Sequence, residues 1–251
     1  MPALKPIGKP FVELLTVEST NNYAMGLARA GMAQHGTIAF THEQTKGKGQ
    51  RSKEWLSAKG QNITMSVVFE PVDLPSSELF SLSMMVAVSI QELLSKYIAD
   101  DIRIKWPNDI YWRDRKAAGV LIENIWQAGE WKFAIVGIGI NVNQTNFGNL
   151  GTRAVSLKQI TGTALNCVAL AKELCKLLEE KYQVLIADRS RIVHQYKANL
   201  YKLQQYIKLR KDHILFEAKF KDVNSKGQMV VQHTVEEEFN VGDIEWIISG
   251  G

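Results

Sequence analysis

The most constraining feature of this chain is one long apolar segment, SELFSLSMMVAVSIQELLSKYI, at residues 77–98. Its length and spacing predict a helix. A helix with so little polar surface does not lie exposed on a globular protein, so it should pack across a sheet. Polar residues interrupt the apolar stretches before the roughly 18 residues that a membrane span needs, so we expect no membrane association.

The segments around this helix have the patterns of strands and helices. Ser19, Thr20 and Asn21 are typical N-cap residues and precede an apolar helical spacing. Strands are predicted over residues 37–42, 62–70, 102–112, 116–126 and 131–143. The last two strands are joined by a predicted hairpin turn at Gln127 to Glu130, and residues 166–199 show a helical period.

The character of the sequence changes after Leu200. Short alternating strands follow, with turn signals at Asn224 to Gly227 and at Gly242 and Asp243, which predicts a small β-barrel or sandwich. The change near residue 203 is not marked by a Pro/Gly linker. We therefore expect two domains that pack together, residues 1–202 and residues 203–251.

The totals exclude several classes of protein. A chain of 251 residues with a formal charge of +4 has room for a domain and a small second one, and it is too weakly basic for a dedicated nucleic-acid binder. Cys167 and Cys175 have neither Cys-x-x-Cys nor zinc spacing, so we expect buried thiols in a reducing, cytoplasmic setting. The histidines are scattered, so no catalytic triad and no resident metal is expected.

The segment GKGQRSKEW, residues 47–55, points to a ligand. Glycines let the backbone approach a ligand closely, while cations and an aromatic face suit a phosphate joined to a flat ring. The alternative is an exposed basic turn with one buried tryptophan. The segment is not a Walker A loop, and GIGINV at residues 137–142 lacks the third glycine of a dinucleotide fingerprint. The residues concerned are Gly47, Lys48, Gly49, Arg51, Lys53 and Trp55.

The segment KWPNDI, residues 105–110, points to a second part of the same site. Lys105, Asn108 and Asp109 cluster where a predicted apolar strand ends, at a bend that Pro107 is expected to fix. Lys116 opens the next apolar strand and must find an anion or point outward. Glu123 interrupts that strand, so the same question of a binding partner applies to it. The alternative to a role in the site is that Glu123 is an ion-paired structural carboxylate.

Four segments in this order, EST-N, EQTKGKGQRSKEW, KWPNDIYWRDRKAAGVLIE and VGIGINVN, resemble those of biotin–protein ligases. The resemblance runs from Val17 to Leu157 and continues into the C-terminal strands. It implies an α/β fold of the α+β type: a mixed, mainly antiparallel sheet flanked by helices, of the class II synthetase-like biotin/lipoate ligase kind, followed by a small SH3-like β-barrel.

The same resemblance implies ATP-dependent ligation of biotin to a lysine of a biotin carboxyl carrier protein. The reaction passes through biotinyl-5'-AMP and releases pyrophosphate, with Mg²⁺ accompanying ATP. The usual carrier is a subunit of acetyl-CoA carboxylase. A homodimer and a monomer both stay open.

The resemblance also assigns roles to residues. Lys116, Lys48 and Asp109 are expected to be catalytic, with Lys116 bridging the biotin carboxylate and the phosphate and Asp109 meeting either the carrier lysine or Mg²⁺. The residues expected to bind biotin are Ser19, Thr20, Asn21, Gln44, Gly47, Lys48, Gly49, Gln50, Ser66, Lys116, Gly119, Gly137 and Ile138. The residues expected to bind ATP or the adenylate are Arg51, Lys53, Trp55, Lys105, Asn108, Lys116 and Asn141. The loop from Gln144 to Ser156 is expected to order over the adenylate.

Three positions depart from the common GRGRRG form of this family: Lys48, Gln50 and Ser52. Lys48 keeps the charge but lacks the two-pronged guanidinium of arginine, and Gln50 has no charge. Sixteen residues precede VEST, too few for the DNA-binding winged helix of larger members, so we expect a ligase without repressor activity.

Two other functions remain as alternatives. A lipoate–protein ligase shares the fold and the adenylation chemistry. A biotin- or nucleotide-binding sensor without turnover would keep the pocket and not the reaction.

Overall fold

The structure is a computed structural model that describes residues 5–50, 53–72 and 74–248. Its larger sheet has seven strands in the order β1-β2-β3-β7-β6-β5-β4. All neighbouring pairs are antiparallel except β1 and β2, so the sheet is mixed and mainly antiparallel, as predicted. The strands are β1 (Phe11–Leu14), β2 (Ile38–Thr41), β3 (Asn62–Phe69), β4 (Ile102–Lys105), β5 (Asp109–Trp112), β6 (Arg115–Gln127) and β7 (Glu130–Asn141).

Helices cover both faces of this sheet. One face packs against α2 and α4 in the main apolar core, with α5 packed on these two helices, and the other carries α1 over a smaller apolar cluster that includes Ala24, Ala39 and Ile135. α1 begins after its predicted cap, because Oγ of Ser19 accepts a hydrogen bond from the backbone N–H of Asn22. The helices are α1 (Thr20–Arg29), α2 (Leu79–Ser95), α3 (Leu157–Thr161), α4 (Cys167–Ala187) and α5 (Arg189–Ala198).

The long apolar segment forms α2, preceded by one 3-10 turn. By length and composition alone, Ser76–Ser95 could cross a membrane, because its mean hydropathy over an 18-residue window is 1.3. The sequence analysis had excluded a membrane span because polar residues interrupt the apolar run. In the fold, 67% of that window is buried against the sheet and against α4 and α5. This burial is typical of a core helix in a globular protein.

Three details of the larger domain differ from the prediction. The single strand predicted over residues 102–112 is a hairpin, β4 and β5, with Lys105 paired to Asp109. Pro107 has no N–H to donate to a ladder, so the chain turns back there instead of continuing. The helix predicted over residues 166–199 divides at Asp188, whose carboxylate accepts the backbone N–H of Ser190 and begins α5. Neither β1 nor α3 was predicted.

The smaller sheet has five strands in the order β11-β10-β9-β8-β12. They are β8 (Tyr206–Lys211), β9 (Ile214–Val223), β10 (Met229–Gln232), β11 (Glu236–Phe239) and β12 (Glu245–Ile247). Turns occur at both predicted places, after Asn224 and before Ile244. The closure of this sheet into an SH3-like barrel and the boundary near residue 203 stay predictions.

One apolar core runs through both parts of the chain. Residues of the smaller sheet such as Leu209 and Phe220 belong to the same buried cluster as the residues of α2 and α4. Cys167 and Cys175 are buried free thiols of this core, and burial raises their pKa values to about 11 and about 12. The cavity described next lies where the two sheets meet.

Candidate active site

A cavity of about 750 Å³ opens over β6 and β7 and is closed on one side by the smaller sheet. Its walls combine the N-terminus of α1, the glycine-rich segment of residues 47–55, the β4–β5 turn and β12. These elements come from distant parts of the sequence. The volume is in the range of pockets that enclose a small molecule.

Glycines on β6 and β7 make room for functional side chains. Gly119 and Gly139 are paired across the two strands. A Cβ on Gly119 would lie 2.9 Å from Nζ of Lys116, and a Cβ on Gly139 would lie 2.3 Å from the ring of Trp55. A Cβ on Gly137 would lie 2.5 Å from Oδ1 of a third side chain, that of Asn21. The absent side chains therefore leave space for the protein's own polar and aromatic groups at the cavity floor.

A β-bulge turns Lys116 toward this floor. Ile110 pairs with Ala118, whereas Tyr111 pairs with Lys116, so β6 has one extra residue at Ala117. The extra residue reverses the alternation of side chains, which places Lys116 on the same face as Gly119. Bulges of this kind are common beside functional sites because they redirect one side chain.

A neutral hydrogen-bonded cluster forms one end of the cavity. The backbone N–H and the hydroxyl of Thr20 both donate to Oε1 of Gln44, at 2.8 Å and 3.1 Å. Oγ of Ser66 lies 2.8 Å from Thr20 Oγ1 and 2.6 Å from Asn21 Oδ1. Nδ2 of Asn21 donates to Glu123 at 2.8 Å. These contacts fix the orientation of Asn21. Glu123 also lies 4.0 Å from Nζ of Lys48, which agrees with its alternative interpretation as an ion-paired carboxylate.

The described parts of the glycine-rich segment, residues 47–50 and 53–55, are hydrogen-bonded to each other beside the cavity. The backbone N–H of Gly49 donates to the carbonyl of Lys53 at 2.7 Å, and the N–H of Trp55 donates to the carbonyl of Gly47 at 2.9 Å. A Cβ on Gly47 would lie 2.3 Å from the carbonyl oxygen of Trp55, so this close approach requires glycine. The segment thereby presents Trp55 to the cavity from a narrow backbone loop.

Two side chains tie this segment to neighbouring elements. Nζ of Lys48 donates to Oδ1 of Asn22 at 2.7 Å. Nε2 of Gln50 lies 3.0 Å from Oδ1 of Asn108 and 3.3 Å from the carbonyl oxygen of Val120. Gln50, the uncharged departure from the family form, therefore joins the segment to the β4–β5 turn and to β6.

An ion pair occupies the middle of the site. Nζ of Lys116 lies 2.8 Å from Oδ1 of Asp109, with the two side chains 32% and 22% exposed. The same Nζ lies 5.8 Å from the ring centroid of Trp55. The carbonyl of Lys116 accepts hydrogen bonds from Nδ2 of Asn141 and from the backbone N–H of Val155. The loop of residues 144–156 is thus bonded to the strand that carries the central cation.

The other end of the cavity is rich in cations and aromatic rings. Nζ of Lys105 lies 5.0 Å from the ring centroid of Trp246, on β12 of the smaller sheet. Burial, followed by the nearby Asp109 carboxylate, raises the pKa of Tyr111, so its hydroxyl stays protonated at neutral pH. Glu54, Asp114 and Glu245 line the same walls, but the cations outnumber these carboxylates, which suits a polyanion. The cationic wall residues are Lys53, Lys105, Arg115, Arg153 and Arg210.

Most of the predicted site residues line this one cavity. They are Ser19, Thr20, Asn21, Gln44, Lys48, Gly49, Gln50, Lys53, Trp55, Lys105, Asp109, Lys116, Gly119, Gly137 and Ile138. Ile138 turns its side chain into the apolar core. Four more of the predicted residues do not line the cavity, but each of them contacts a residue that does. They are Gly47, Ser66, Asn108 and Asn141. Arg51 and Ser52 lie outside the described residues. The individual roles of all these residues stay predictions.

Several wall residues were not predicted. Arg153 lies within the loop that the sequence singled out, so its charge was an available signal. Arg210 and Trp246 come from the smaller sheet, and only the packing of the two sheets brings them to the site. Across residues 5–50, 53–72 and 74–248, no group of three His, Cys, Asp or Glu side chains could hold a metal ion.

Comparison with known proteins finds similarity to one family. Residues 14–141 match the family model described as "Biotin/lipoate A/B protein ligase family". The chain is 35% identical over 129 residues to the bifunctional ligase/repressor BirA of Escherichia coli, covering 51% of this chain and 39% of that protein. It is 30% identical over 129 residues to a biotin–[acetyl-CoA-carboxylase] ligase of Mycobacterium tuberculosis, covering 50% of this chain and 47% of that protein. The chain thus spans less than half the length of these relatives.

Among solved structures, the chain resembles a biotin protein ligase from Aquifex aeolicus in complex with biotin and ATP. The TM-score is 0.81 at 25% identity, and the match covers 96% of this chain and 100% of that one. The similarity therefore extends over both sheets.

Proposed function

Because the chain belongs to the biotin/lipoate A/B protein ligase family, we propose that it ligates biotin to a lysine of a biotin carboxyl carrier protein. The observation that carries the proposal is the Lys116–Asp109 ion pair, set between a neutral polar end and a cation-rich end of one cavity. The name of the Mycobacterium tuberculosis relative supports acetyl-CoA carboxylase as the source of the carrier, and the reducing setting of two free thiols supports the cytoplasm.

In the first step, the biotin carboxylate attacks the α-phosphorus of ATP, forming biotinyl-5'-AMP and releasing pyrophosphate. The neutral end, with Thr20, Asn21 and Gln44, offers donors and acceptors to the uncharged ring of biotin. Lys116 would stabilise the negative charge that gathers between carboxylate and phosphate. Mg²⁺ enters with ATP as part of the substrate and neutralises the departing pyrophosphate.

In the second step, the amine of the carrier lysine attacks the acyl carbonyl, the bond between the acyl carbon and the phosphate oxygen breaks, and AMP leaves. The proton that the amine loses as the amide forms passes to solvent. Asp109 is the carboxylate beside Lys116 and would orient the incoming amine. Trp55 offers an aromatic face for the adenine ring until AMP departs.

The test is ATP–pyrophosphate exchange with biotin and lipoate supplied separately, followed by transfer to a purified carrier domain. Exchange with biotin, and biotin-dependent labelling of the carrier, would support the proposal. Exchange with lipoate alone would favour a lipoate ligase. A thermal shift with biotin but no exchange with either acid would favour a sensor without turnover.

A further inference from the structure

We infer that Gly227, in the β9–β10 turn of the smaller sheet, is a positioning residue for the proposed adenylation centre. It acts through Trp106, whose indole Nε1–H donates a buried 3.0 Å hydrogen bond to the carbonyl of Gly227 across 121 positions of the sequence. Trp106 begins the turn that carries Asn108 and leads into Asp109. The inference rests on the proposed function, and it assigns to the smaller sheet a role in positioning the active site.

The geometry at Gly227 admits no side chain. Its φ is +81°, which disfavours other residues, and a Cβ there would lie 2.2 to 2.6 Å from ring atoms of Phe80 at the start of α2. The turn is closed from within, because the backbone N–H of Gly227 donates to the carbonyl of Asn224. Gly227 is therefore pressed between Phe80 on one side and Trp106 on the other.

The neighbouring residues of the β4–β5 turn are held as well. Tyr196, fully buried, donates its hydroxyl to the carbonyl of Pro107 at 2.7 Å and packs edge-on against Phe80 at 5.9 Å between ring centroids. On the other flank, the ring of Trp246 lies under Lys105. The smaller sheet thus contacts this turn at Trp106 through Gly227 and at Lys105 through Trp246.

This support matters because Asp109 follows Trp106 by three residues and is paired with Lys116 at 2.8 Å. A shift of the indole would move the start of β5 and change the separation of that pair. Misplacing reacting groups by about 1 Å can cost a factor of about 100 in rate. The hydrogen bonds of the neutral end join residues of α1 and β3 to Gln44 and do not involve the turn. The turn reaches expected biotin-binding residues only at Gln50, through Asn108, and at Lys116, through Asp109. The effect on biotin binding should therefore be smaller than the effect on kcat.

The experiment compares Gly227→Ala with Gly129→Ala in the full chain. Gly129 has the same strain, φ +82°, but a Cβ there would meet nothing within 4 Å, and it lies in the β6–β7 hairpin turn. Trp106→Phe removes the indole donor while keeping an aromatic ring, so it tests the link even where Gly227→Ala does not fold. Each variant is assayed for biotin-dependent ATP–pyrophosphate exchange, and exchange of the Trp106 indole proton is followed by NMR.

We expect kcat to fall about tenfold to a hundredfold in Gly227→Ala and Trp106→Phe, with the KM for biotin within about twofold of wild type. Gly129→Ala should match wild type. The Trp106 indole proton should be protected in wild type and exchange rapidly in Gly227→Ala. Folded Gly227→Ala and Trp106→Phe proteins with wild-type kcat would overturn the inference. If wild type itself shows no pyrophosphate exchange, the proposed function fails, and an indole proton unprotected in wild type would overturn the Gly227–Trp106 link independently.

Discussion

Replacing Lys116 by methionine separates a catalytic role from a structural one. Methionine keeps a long apolar side chain in the space above Gly119 but removes the charge beside Asp109. Removing one donor that stabilises transition-state charge costs about 2.7–4 kcal/mol in comparable sites, which at about 1.4 kcal/mol per tenfold is a factor of about 100 to 1,000 in rate. Because Lys116 is already paired in the resting site, we expect the lower part of this range.

The effect on stability should be small. The pair is partly exposed, and exposed ion pairs contribute about 0.2–1 kcal/mol, which shifts Tm by at most about 4 °C in a chain of this size. The assay is biotin-dependent ATP–pyrophosphate exchange, with thermal unfolding in parallel and Lys132→Ala, an exposed lysine of β7, as control. Exchange within threefold of wild type would refute the catalytic role of Lys116, and a Tm drop of about 10 °C or more would contradict the small structural contribution of the ion pair.

Three further predictions concern other parts of the chain. Ser66→Ala removes a buried hydroxyl 2.6 Å from Asn21 Oδ1. The loss of this hydrogen bond, worth about 1 kcal/mol, should raise the Kd for biotin about fivefold. Calorimetry measures this Kd, and an unchanged value would contradict the prediction. Gly139→Ala must displace the Trp55 ring by more than about 1 Å and should raise the KM for ATP with little change for biotin; an unchanged KM for ATP would argue against adenine stacking on Trp55. Burial lowers the pKa of His35 below its ordinary 6.5, so as pH falls through that value the unfolded chain takes up the proton first and the protein loses stability. Between pH 7.5 and 5.5, the free energy of unfolding measured in urea should fall less in His35→Gln than in wild type. An equal fall in the two proteins would contradict this prediction.

Local signals predicted much of the larger sheet. The Ser19 cap of α1 and the hairpin turn near Gly129 depend on residues close in sequence, and both occur where predicted. β1 was missed because it is a four-residue strand whose partner, β2, begins 27 residues later, and nothing local signals such a pairing. The bend at Pro107 was predicted, but the β4–β5 hairpin was not, because apolar residues continue on both sides of the proline.

Most residues proposed for the site line one cavity, whereas the way in which the fold brings them together was not predicted. Segments with unusual chemistry, such as that around Lys48 and that around Asp109, were visible because cations and amides interrupt apolar patterns. The bulge at Ala117 was not, since a register shift leaves no mark on composition. The contribution of Arg210 and Trp246 depends on how two sheets pack, which is a property of the folded chain.

The two ends of the cavity have different electrostatics. Cations such as Lys105 and Arg153 line one part of the cavity, whereas Thr20, Gln44 and Ser66 are held together by hydrogen bonds between uncharged groups. Dissolved salt screens the attraction between exposed charges, and it has little effect on hydrogen bonds between uncharged groups. Ionic strength should therefore loosen the polyanionic half of a bound molecule and leave its uncharged half in place, which makes salt titration a way to release one substrate while the other stays bound.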